Sequence, residues 1–250
     1  MTPRTAVILA AGMGTRLGSI GREMPKGLLR CGDRPIIEES IDHLTHAGVE
    51  RIVIVTGHLR EFYDELANRS GAHITTIHNP AYAASGSLYS VAAIAGHVDE
   101  DILLLESDLI YEPSALEAVH GGSGENIILL SDVTDTGDDV FVETYGGCLS
   151  AMSKDRNLLS GVAGVMVGIS RVSRALLQAM TAFAAEHRAD RPQATYETDG
   201  FVGQAARHSI RCPVLPGLLW SEIDDTDHFE RAAAVIYPAI QSATLAYRNR

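Results

Sequence analysis

The sequence predicts an α/β fold with a mixed, mostly parallel central sheet flanked by helices. The first half of the chain alternates short β-branched runs with segments of helical periodicity, the pattern of βαβ units. From residue 139 the runs become shorter and are separated by Gly146-Gly147, which indicates a small antiparallel addition. No Pro/Gly/Ser-rich linker and no internal repeat divides the 250 residues, so we expect a single domain over 1–250.

Five strands are predicted in the first half, at residues 5–11, 51–56, 73–78, 101–106 and 126–130. Helical periodicity predicts four helices between them, at residues 34–47, 60–69, 87–95 and 113–119. Gly48 and Gly71 stand where the first two helices should end. Each strand therefore ends at a loop that can carry chemistry.

The second half predicts three strands of the antiparallel addition, at residues 140–144, 148–153 and 162–169. An amphipathic helix follows at 170–186, then a shorter helix at 199–207 and a strand at 210–214. A further extended segment at 220–225 precedes a final helical region that starts at Asp227.

Composition narrows the class of protein. A hydrophobic fraction of 46% with 21% charged residues is ordinary for a globular chain, and the net charge of −12 argues against a nucleic-acid surface. The three cysteines are widely spaced and form no CxxC pair, so we expect a reducing, cytoplasmic setting. The apolar run at the start is too short for a signal peptide or a membrane span.

A Gly-rich loop follows the first strand. A strand that runs directly into Gly12-Met13-Gly14-Thr15 places backbone N–H groups at the carboxyl edge of the sheet, where glycines let phosphate oxygens approach. Gly18 comes one place too late for the dinucleotide fingerprint, and the Gly-Lys-Ser/Thr of a P-loop is absent. An ordinary tight turn is the alternative interpretation. We predict a phosphate site built from Leu9, Ala10, Ala11, Gly12, Met13, Gly14 and Thr15.

Cations follow this loop, although the protein as a whole is acidic. Arg16 comes first, then Lys26 after a proline, with Arg22 and Arg30 nearby. The sequence contains only two lysines, Lys26 and Lys154, which indicates that a compact ammonium group is needed where a lysine remains.

These motifs resemble the nucleoside-triphosphate transferases, whose signature is Leu-Ala-Ala-Gly-x-Gly-Thr/Ser-Arg followed by Pro-Lys. Residues 9–17 and Pro25-Lys26 match it. Sugar-nucleotide pyrophosphorylases usually continue with Pro, whereas Gly27 follows here, which is similar to the phosphocholine cytidylyltransferase branch and favours CTP. The resemblance implies a Rossmann-like, GT-A-like nucleotidyltransferase fold.

The resemblance extends to residues 79–82, 84–90, 106–108 and 220–225. Residues 131–133, 152–154 and 162–164 are similar to the cytidylyltransferases of phosphonate metabolism, which activate compounds such as 2-aminoethylphosphonate or phosphonoformate. Phosphocholine enzymes typically carry Asn-Asn where this chain has Gly86-Ser87, which argues against choline phosphate.

Three acids are candidates for an Mg²⁺ site. Asp108 follows an apolar strand, and Glu222 and Asp224 lie at i and i+2 in an extended segment, which sends both to one face. The resemblance implies the same metal role. Asp108 has a simpler interpretation as a helix N-cap or a solvated loop residue, and Asp225 is the better candidate to cap the last helix.

Arg16 and Lys26 are the predicted catalytic residues, since they can stabilise charge at the α-phosphorus and on pyrophosphate. A phosphonate oxygen is already ionised, so no catalytic histidine is assigned. Cytosine is expected to meet backbone groups at Leu9 and Ala11 and the loop Ser85, Gly86 and Ser87.

Four residues are candidates for the acceptor site: Lys154, Tyr196, Glu197 and Asp199. Lys154 has an equal interpretation as a solvated turn lysine, and Thr198 or Asp199 as a helix N-cap. An amine-bearing acceptor would need a carboxylate such as Asp132, Asp138, Asp139 or Glu197.

The sequence thus predicts CMP transfer from CTP to a small phosphonate or phosphate acceptor. Residues 1–130 would bind nucleotide, 131–225 would supply the acceptor site and metal acids, and 226–250 would form C-terminal helices. Alternatives are a phosphocholine cytidylyltransferase, a sugar-1-phosphate nucleotidyltransferase and, from another class, a regulatory nucleotide-binding subunit. No nucleic acid or membrane partner is expected, and a homodimer is left open.

Overall fold

A central sheet of nine strands organises the chain, seen in a computed structural model that describes residues 2–134 and 136–248. The order along its main path is β10-β6-β9-β4-β1-β2-β3, and a further pair, β7 and β8, joins it beside β9. Its strands are β1 (Thr5–Ala10), β2 (Arg51–Thr56), β3 (Ile74–His78), β4 (Ile102–Glu106), β6 (Ile127–Ser131), β7 (Phe141–Tyr145), β8 (Cys148–Ser153), β9 (Gly164–Val172) and β10 (Val214–Leu215).

Strand β1 lies between two parallel neighbours. Ile8 is in register with Ile54 of β2 on one side and with Leu105 of β4 on the other. Five of the six β1 residues are buried, since helices cover both faces of the sheet. The carboxyl ends of β1, β2 and β4 therefore meet at one edge.

The other half of the sheet contains antiparallel strands. Strand β9 runs between β4 and β6 and is antiparallel to both. A separate two-stranded antiparallel sheet consists of β5 (Leu109–Tyr111) and β11 (Trp220–Glu222). The predicted mixed, mostly parallel sheet with an antiparallel addition is confirmed.

The α-helices are α1 (Ser19–Glu23), α2 (Ile36–His46), α3 (Arg60–Ser70), α4 (Ser87–Ala92), α5 (Ser114–His120), α6 (Arg174–Glu186), α7 (Val202–Gln204), α8 (Thr226–Arg231) and α9 (Tyr237–Arg248). Helices α4 and α6 pack on one face of the sheet, and α2, α3 and α5 pack on the other. A third cluster joins Leu17 and Ile223 to Ala232 and Ile240 of the C-terminal helical region. No helix within residues 2–134 and 136–248 combines the length and apolarity that a bilayer crossing requires.

The predicted helix at 170–186 begins too early. Ser170 to Val172 continue β9 because they pair with β4, where Leu104 lies opposite Ser170. The helix starts after Ser173, whose side chain accepts the amide of Leu176 at 3.3 Å. A central sheet position outweighs local helical periodicity here.

Two other predicted elements differ from the structure. Only Val214 and Leu215 form β10, because Pro213 has no amide to donate and Arg211 makes isolated bridges alone. The predicted helix at 199–207 is instead a π-helical turn at Tyr196–Phe201 followed by the short α7. Thr195 caps that turn through its side chain, so the alternative interpretation of Thr198 or Asp199 as the N-cap is wrong.

Candidate active site

The loop after β1 lies open at the carboxyl edge of the parallel strands. Gly14 adopts a left-handed conformation with φ of 59° and leads into the 3₁₀ turn Thr15–Leu17. In the part of the chain that the structure describes, no backbone carbonyl accepts the amide hydrogens of Gly12, Met13 and Gly14. A Cβ on Gly12 would meet nothing within 4 Å. Unpaired amides beside open space can receive phosphate oxygens.

Lys26 lies against this loop, on the 3₁₀ turn Lys26–Leu28. Its ammonium donates to Asp108 Oδ2 at 2.9 Å and to Asp224 Oδ1 at 2.6 Å. Burial opposes the charge, but the two carboxylates outweigh burial and raise the pKa of Lys26. Lys26 is therefore a fixed positive charge in the cleft.

Gly27 follows Lys26 because a side chain would not fit there. A Cβ on Gly27 would lie 2.9 Å from the Tyr63 hydroxyl and 3.0 Å from the carbonyl oxygen of Ser107. Ser107 directly precedes Asp108, so this close approach holds the Lys26 turn against the strand end that carries Asp108.

The two-stranded sheet brings distant acids together. Glu222 in β11 lies opposite Leu109 in β5, and the amide of Ile223 donates to the carbonyl of Asp108 at 3.0 Å. One carboxylate oxygen each from Glu106, Asp108 and Glu222 lies within 4.8 Å of the others. Such a group of hard oxygen ligands suits Mg²⁺.

Glu106 completes this group although the sequence interpretation passed over it. It ends β4, and its Oε1 accepts the hydroxyl of Tyr196 at 2.6 Å. Gly168 in β9 leaves room for it, since a Cβ on Gly168 would lie 2.6 Å from Glu106 Oε2. The signal was available: Glu106 and Asp108 stand at i and i+2, the same spacing that singled out Glu222 and Asp224.

Asp224 stands outside the three-carboxylate group. Its Oδ1 accepts from Lys26 and, at 2.7 Å, from Arg16 Nη2. The side chain is 3% exposed, and its Oδ2 has no hydrogen-bond partner among the described residues. The structure thus places Asp224 as the anionic partner of two cations, beside the predicted metal site.

Negative charge accumulates around these residues. Burial raises the pKa of Glu106 and Glu222, and repulsion between neighbouring carboxylates raises both further. A bound cation would relieve that repulsion. The residues present therefore fit a divalent cation.

Two cavities share this acidic wall. The larger, of about 320 Å³, is lined by the Gly-rich loop, Arg16, Lys26 and the segment Ser85 to Ser87. The smaller, of about 80 Å³, is lined by Lys154 and Trp220 among others. Glu106, Glu222 and Asp224 line both cavities. All of the predicted nucleotide-binding residues lie at the larger one: Leu9, Ala10, Ala11, Gly12, Met13, Gly14, Thr15, Ser85, Gly86 and Ser87.

A family model described as a MobA-like NTP transferase domain matches residues 6–191, well over half of the chain. The chain belongs to this family. The predicted resemblance to nucleotidyltransferases is confirmed, and the matched range contains the Gly-rich loop, Lys26 and Asp108.

Similar curated proteins include a CMP-5'-(3-aminopropyl)phosphonate synthase of Streptomyces rubellomurinus, 41% identical over 117 residues, which are 46% of this chain and 19% of that protein. A 2-aminoethylphosphonate cytidylyltransferase of Lancefieldella rimae is 31% identical over 157 residues, 59% of this chain and 63% of that protein. A choline-phosphate cytidylyltransferase of Streptococcus pneumoniae is 37% identical over 86 residues, 34% of this chain and 37% of that protein. Each match spans less than two thirds of the relative's length.

Solved structures confirm the fold. The inositol-1-phosphate CTP transferase from T. maritima superposes with a TM-score of 0.78 at 20% identity over 96% of each chain. A CTP:phosphocholine cytidylyltransferase from Streptococcus pneumoniae gives 0.76 at 18% identity, over 94% of this chain and 99% of that one. This MobA-like domain therefore has the predicted Rossmann-like nucleotidyltransferase fold.

The four predicted acceptor residues of the MobA-like domain lie in different places. Lys154 and Glu197 line the smaller cavity, whereas Tyr196 lines the larger one. Asp199 lines neither, because its carboxylate accepts the amide of Thr195 at 3.0 Å and pairs with Arg191 at 3.3 Å. These contacts give Asp199 a structural role, away from both cavities.

Ser87 connects the two cavities. Its hydroxyl donates to Glu197 Oε2 at 3.1 Å and accepts the amide of Tyr196 at 3.1 Å. The single hydroxyl hydrogen is thus directed at the acceptor side, although the side chain lies at the larger cavity. Asp225 takes the capping role predicted for it, since its Oδ1 accepts the amide of His228 at 2.8 Å.

Proposed function

We propose that this chain is a Mg²⁺-dependent cytidylyltransferase that transfers CMP from CTP to a small phosphonate and releases pyrophosphate. The observation that carries the proposal is the pair of cavities on either side of a shared carboxylate wall, each with its own lysine. A transferase that joins a nucleotide to an anionic acceptor needs this arrangement. The similar cytidylyltransferases of aminoalkylphosphonates support the choice of CTP and phosphonate.

The larger cavity suits the nucleoside triphosphate. The unpaired amides of Gly12, Met13 and Gly14 can bind phosphate oxygens, and Lys26 offers a charge held in place by Asp108 and Asp224. Preorganised donors of this kind stabilise developing charge without reorganisation during the reaction. Lys26 would therefore act on the phosphates, while the loop orients them.

The reaction requires a phosphonate oxygen to approach the α-phosphorus from the smaller cavity. A new P–O bond forms as the bond between the α-phosphorus and the bridging oxygen breaks, and its electron pair leaves with pyrophosphate. Since the attacking oxygen is already ionised, no proton must be removed. The chain's contribution is positioning and charge neutralisation.

A divalent cation held by Glu106, Asp108 and Glu222 would neutralise phosphate charge when bound. These three residues offer oxygen ligands within 4.8 Å of one another. Asp224, held by Lys26 and Arg16, would keep those two cations at the edge of the metal site.

Pyrophosphate release tests the proposal. CTP, UTP, GTP and ATP are each offered with 2-aminoethylphosphonate, 3-aminopropylphosphonate, phosphonoformate, phosphocholine and glucose 1-phosphate. We expect release with CTP and a phosphonate, in the presence of Mg²⁺. No release with CTP and any phosphonate would overturn the proposal, and release only with phosphocholine or glucose 1-phosphate would replace it with that activity.

A further inference from the structure

Asp138 bridges one cation of each cavity. Its Oδ1 accepts from Lys154 Nζ at 2.6 Å, and its Oδ2 accepts from Arg16 Nη1 at 2.6 Å. Lys154 and Asp138 line the smaller cavity, and Arg16 lines the larger one. One carboxylate thus binds both cations, at the positions where we expect the anionic groups of the substrates.

Both cations can exchange partners. The side chains of Arg16 and Lys154 are 52% and 60% exposed, so anions from solution can reach them. Burial opposes the charge of Asp138, but the hydrogen bonds from Lys154 and Arg16 outweigh it and lower its pKa. Asp138 therefore remains a carboxylate at neutral pH.

The other carboxylates of the smaller cavity already have protein partners or a metal position. Asp139 accepts from Thr134 and Thr136 within its own loop. Glu197 accepts from Ser87, and Asp224 is held by Lys26 and Arg16. Glu106 and Glu222 belong to the three-carboxylate group. Asp138 is the carboxylate whose partners are exposed and exchangeable.

The neighbours of Asp138 differ in how firmly they are held. Gly137 precedes it with φ of 93°, and a Cβ on Gly137 would meet nothing within 4 Å. The following Asp139 accepts the amide of Thr136, whose carbonyl also contacts His228 Nε2 at 3.2 Å. The Asp138 side chain, 21% exposed, thus lies between an open glycine and an anchored aspartate.

We propose that a zwitterionic acceptor replaces the Lys154–Asp138 ion pair when it binds. Lys154 then binds the phosphonate group of the acceptor, and Asp138 binds an ammonium group at its other end. This inference rests on the proposed function. A substrate that carries both charges replaces one ion pair by two, so neither protein charge is left unpaired. An acceptor without an amine would leave Asp138 without the partner that Lys154 had supplied.

The consequence is selectivity for aminoalkylphosphonates. When triphosphate binds Arg16, Asp138 loses its second partner as well, and its carboxylate is then free for the ammonium. We expect the wild-type chain to prefer 2-aminoethylphosphonate over ethylphosphonate, which has the same carbon chain and lacks the amine.

Replacing Asp138 tests this assignment. In Asp138→Asn, the ratio of kcat/KM for 2-aminoethylphosphonate to that for ethylphosphonate should fall at least about tenfold. Asp138→Glu keeps the charge and should keep most of the preference. Asp132→Asn is the matched control, because Asp132 lies in the same loop, lines neither cavity, and its carboxylate accepts the amide of Gly217.

The outcomes separate this inference from the proposed function. A wild-type chain that releases no pyrophosphate with any phosphonate refutes the proposed function. A chain that is active but shows no preference for the amine, or whose preference survives in Asp138→Asn, refutes the role of Asp138. Loss of the preference in Glu197→Gln alone would assign the ammonium to Glu197 and overturn the inference.

Calorimetric binding tests the role of Asp138 without turnover. The folded Asp138→Asn chain should bind 2-aminoethylphosphonate more weakly than the wild-type chain does, while its binding of ethylphosphonate should not weaken, because Lys154 is no longer paired with a carboxylate. Equal affinity of the two chains for 2-aminoethylphosphonate would overturn the inference.

Discussion

At the scale of single residues, Lys26 offsets the negative charge of the carboxylates in the site. It is 15% exposed and joins Asp108, which belongs to the three-carboxylate group, to Asp224, which also binds Arg16. Because it is enclosed by two acids, its position is fixed before any substrate arrives. Gly27 contributes by letting the Lys26 turn approach Ser107.

Replacing Lys26 by alanine should remove both activity and stability. We expect turnover to fall at least about 10²-fold, the order for losing one charge-stabilising donor. The midpoint of thermal unfolding should also fall, since removing one partner of a buried ion pair costs about 3–5 kcal/mol. Pyrophosphate release and circular dichroism measure the two effects.

Arg22→Ala is the matched control for that variant. Arg22 is an exposed cation close to the same loop and lines neither cavity. Its removal should change neither turnover nor the unfolding midpoint. Retained turnover in a folded Lys26→Ala chain would refute the assignment of Lys26.

At the scale of elements, the junction between β9 and α6 shows how sheet pairing sets a helix start. Ser170 is fully buried in β9, and its hydroxyl has no hydrogen-bond partner among the described residues. Ser173 is the N-cap, and its own amide donates to Asn126 Oδ1 at 2.8 Å. Both serines are plausible caps by residue type, and the pairing of β9 with β4 and β6 decides between them.

Alanine at each serine separates the two positions. Ser173→Ala should lower the free energy of unfolding by about 1 kcal/mol, because the cap of α6 is lost. Ser170→Ala should leave it unchanged or raise it, because an unpaired buried hydroxyl is removed. Urea unfolding measures both, and the reverse order would mean that the helix begins at Ser170.

Ser87 ties α4 to the π-helical turn that carries Tyr196 and Glu197. In Ser87→Ala, both hydrogen bonds are lost, and Glu197 loses its fixed orientation in the smaller cavity. We expect KM for the phosphonate to rise several-fold while KM for CTP stays nearly constant. Steady-state kinetics with each substrate varied in turn provide the measurement, and a rise confined to CTP would place Ser87 in nucleotide binding instead.

At the scale of the whole molecule, the site is a concentration of acids inside an acidic protein. The net charge is −12, and the C-terminal helical region packs through Ala232 and Ile240 against Leu17 and Ile223, which flank site residues. The hydrophobic contacts hold carboxylates together that would otherwise repel one another. We therefore expect stability and cation binding to be coupled.

The coupling predicts how stability depends on pH. The folded-state pKa values of Glu106 and Glu222 are raised by burial, so their contribution to stability is present below the ordinary glutamate pKa of about 4.3 and is lost as pH rises above it. The temperature midpoint of unfolding of the metal-free chain should fall as the pH rises from about 4.3 to about 8, the pKa of Glu106 in the folded chain. Mg²⁺ should reduce the fall, because a bound cation stabilises the ionised carboxylates.

Thermal unfolding with EDTA or with MgCl₂, across a pH series, measures this effect. Glu222→Gln should flatten the pH dependence of the metal-free chain and weaken its response to Mg²⁺. A metal-free midpoint that is constant with pH, or an equal response to Mg²⁺ in Glu222→Gln, would contradict the coupling.

The sequence by itself determined the features that depend on neighbouring residues. The Gly-rich loop, the cations after it, the strands of the parallel half and Asp108 at a strand end follow from local pattern, because a strand that enters a glycine turn places its amides at the sheet edge whatever packs around it. The cap at Asp225 follows in the same way.

Only the tertiary structure decided which distant groups share a partner. The pairing of β5 with β11 sets Glu222 beside Asp108, Glu106 joins them, and Asp224 turns to Lys26 and Arg16. Asp138 meets Arg16 across a separation of 122 residues in the chain. Periodicity states which face a side chain takes, whereas the cation or carboxylate that meets it there is fixed by strand pairing and burial between segments far apart in sequence.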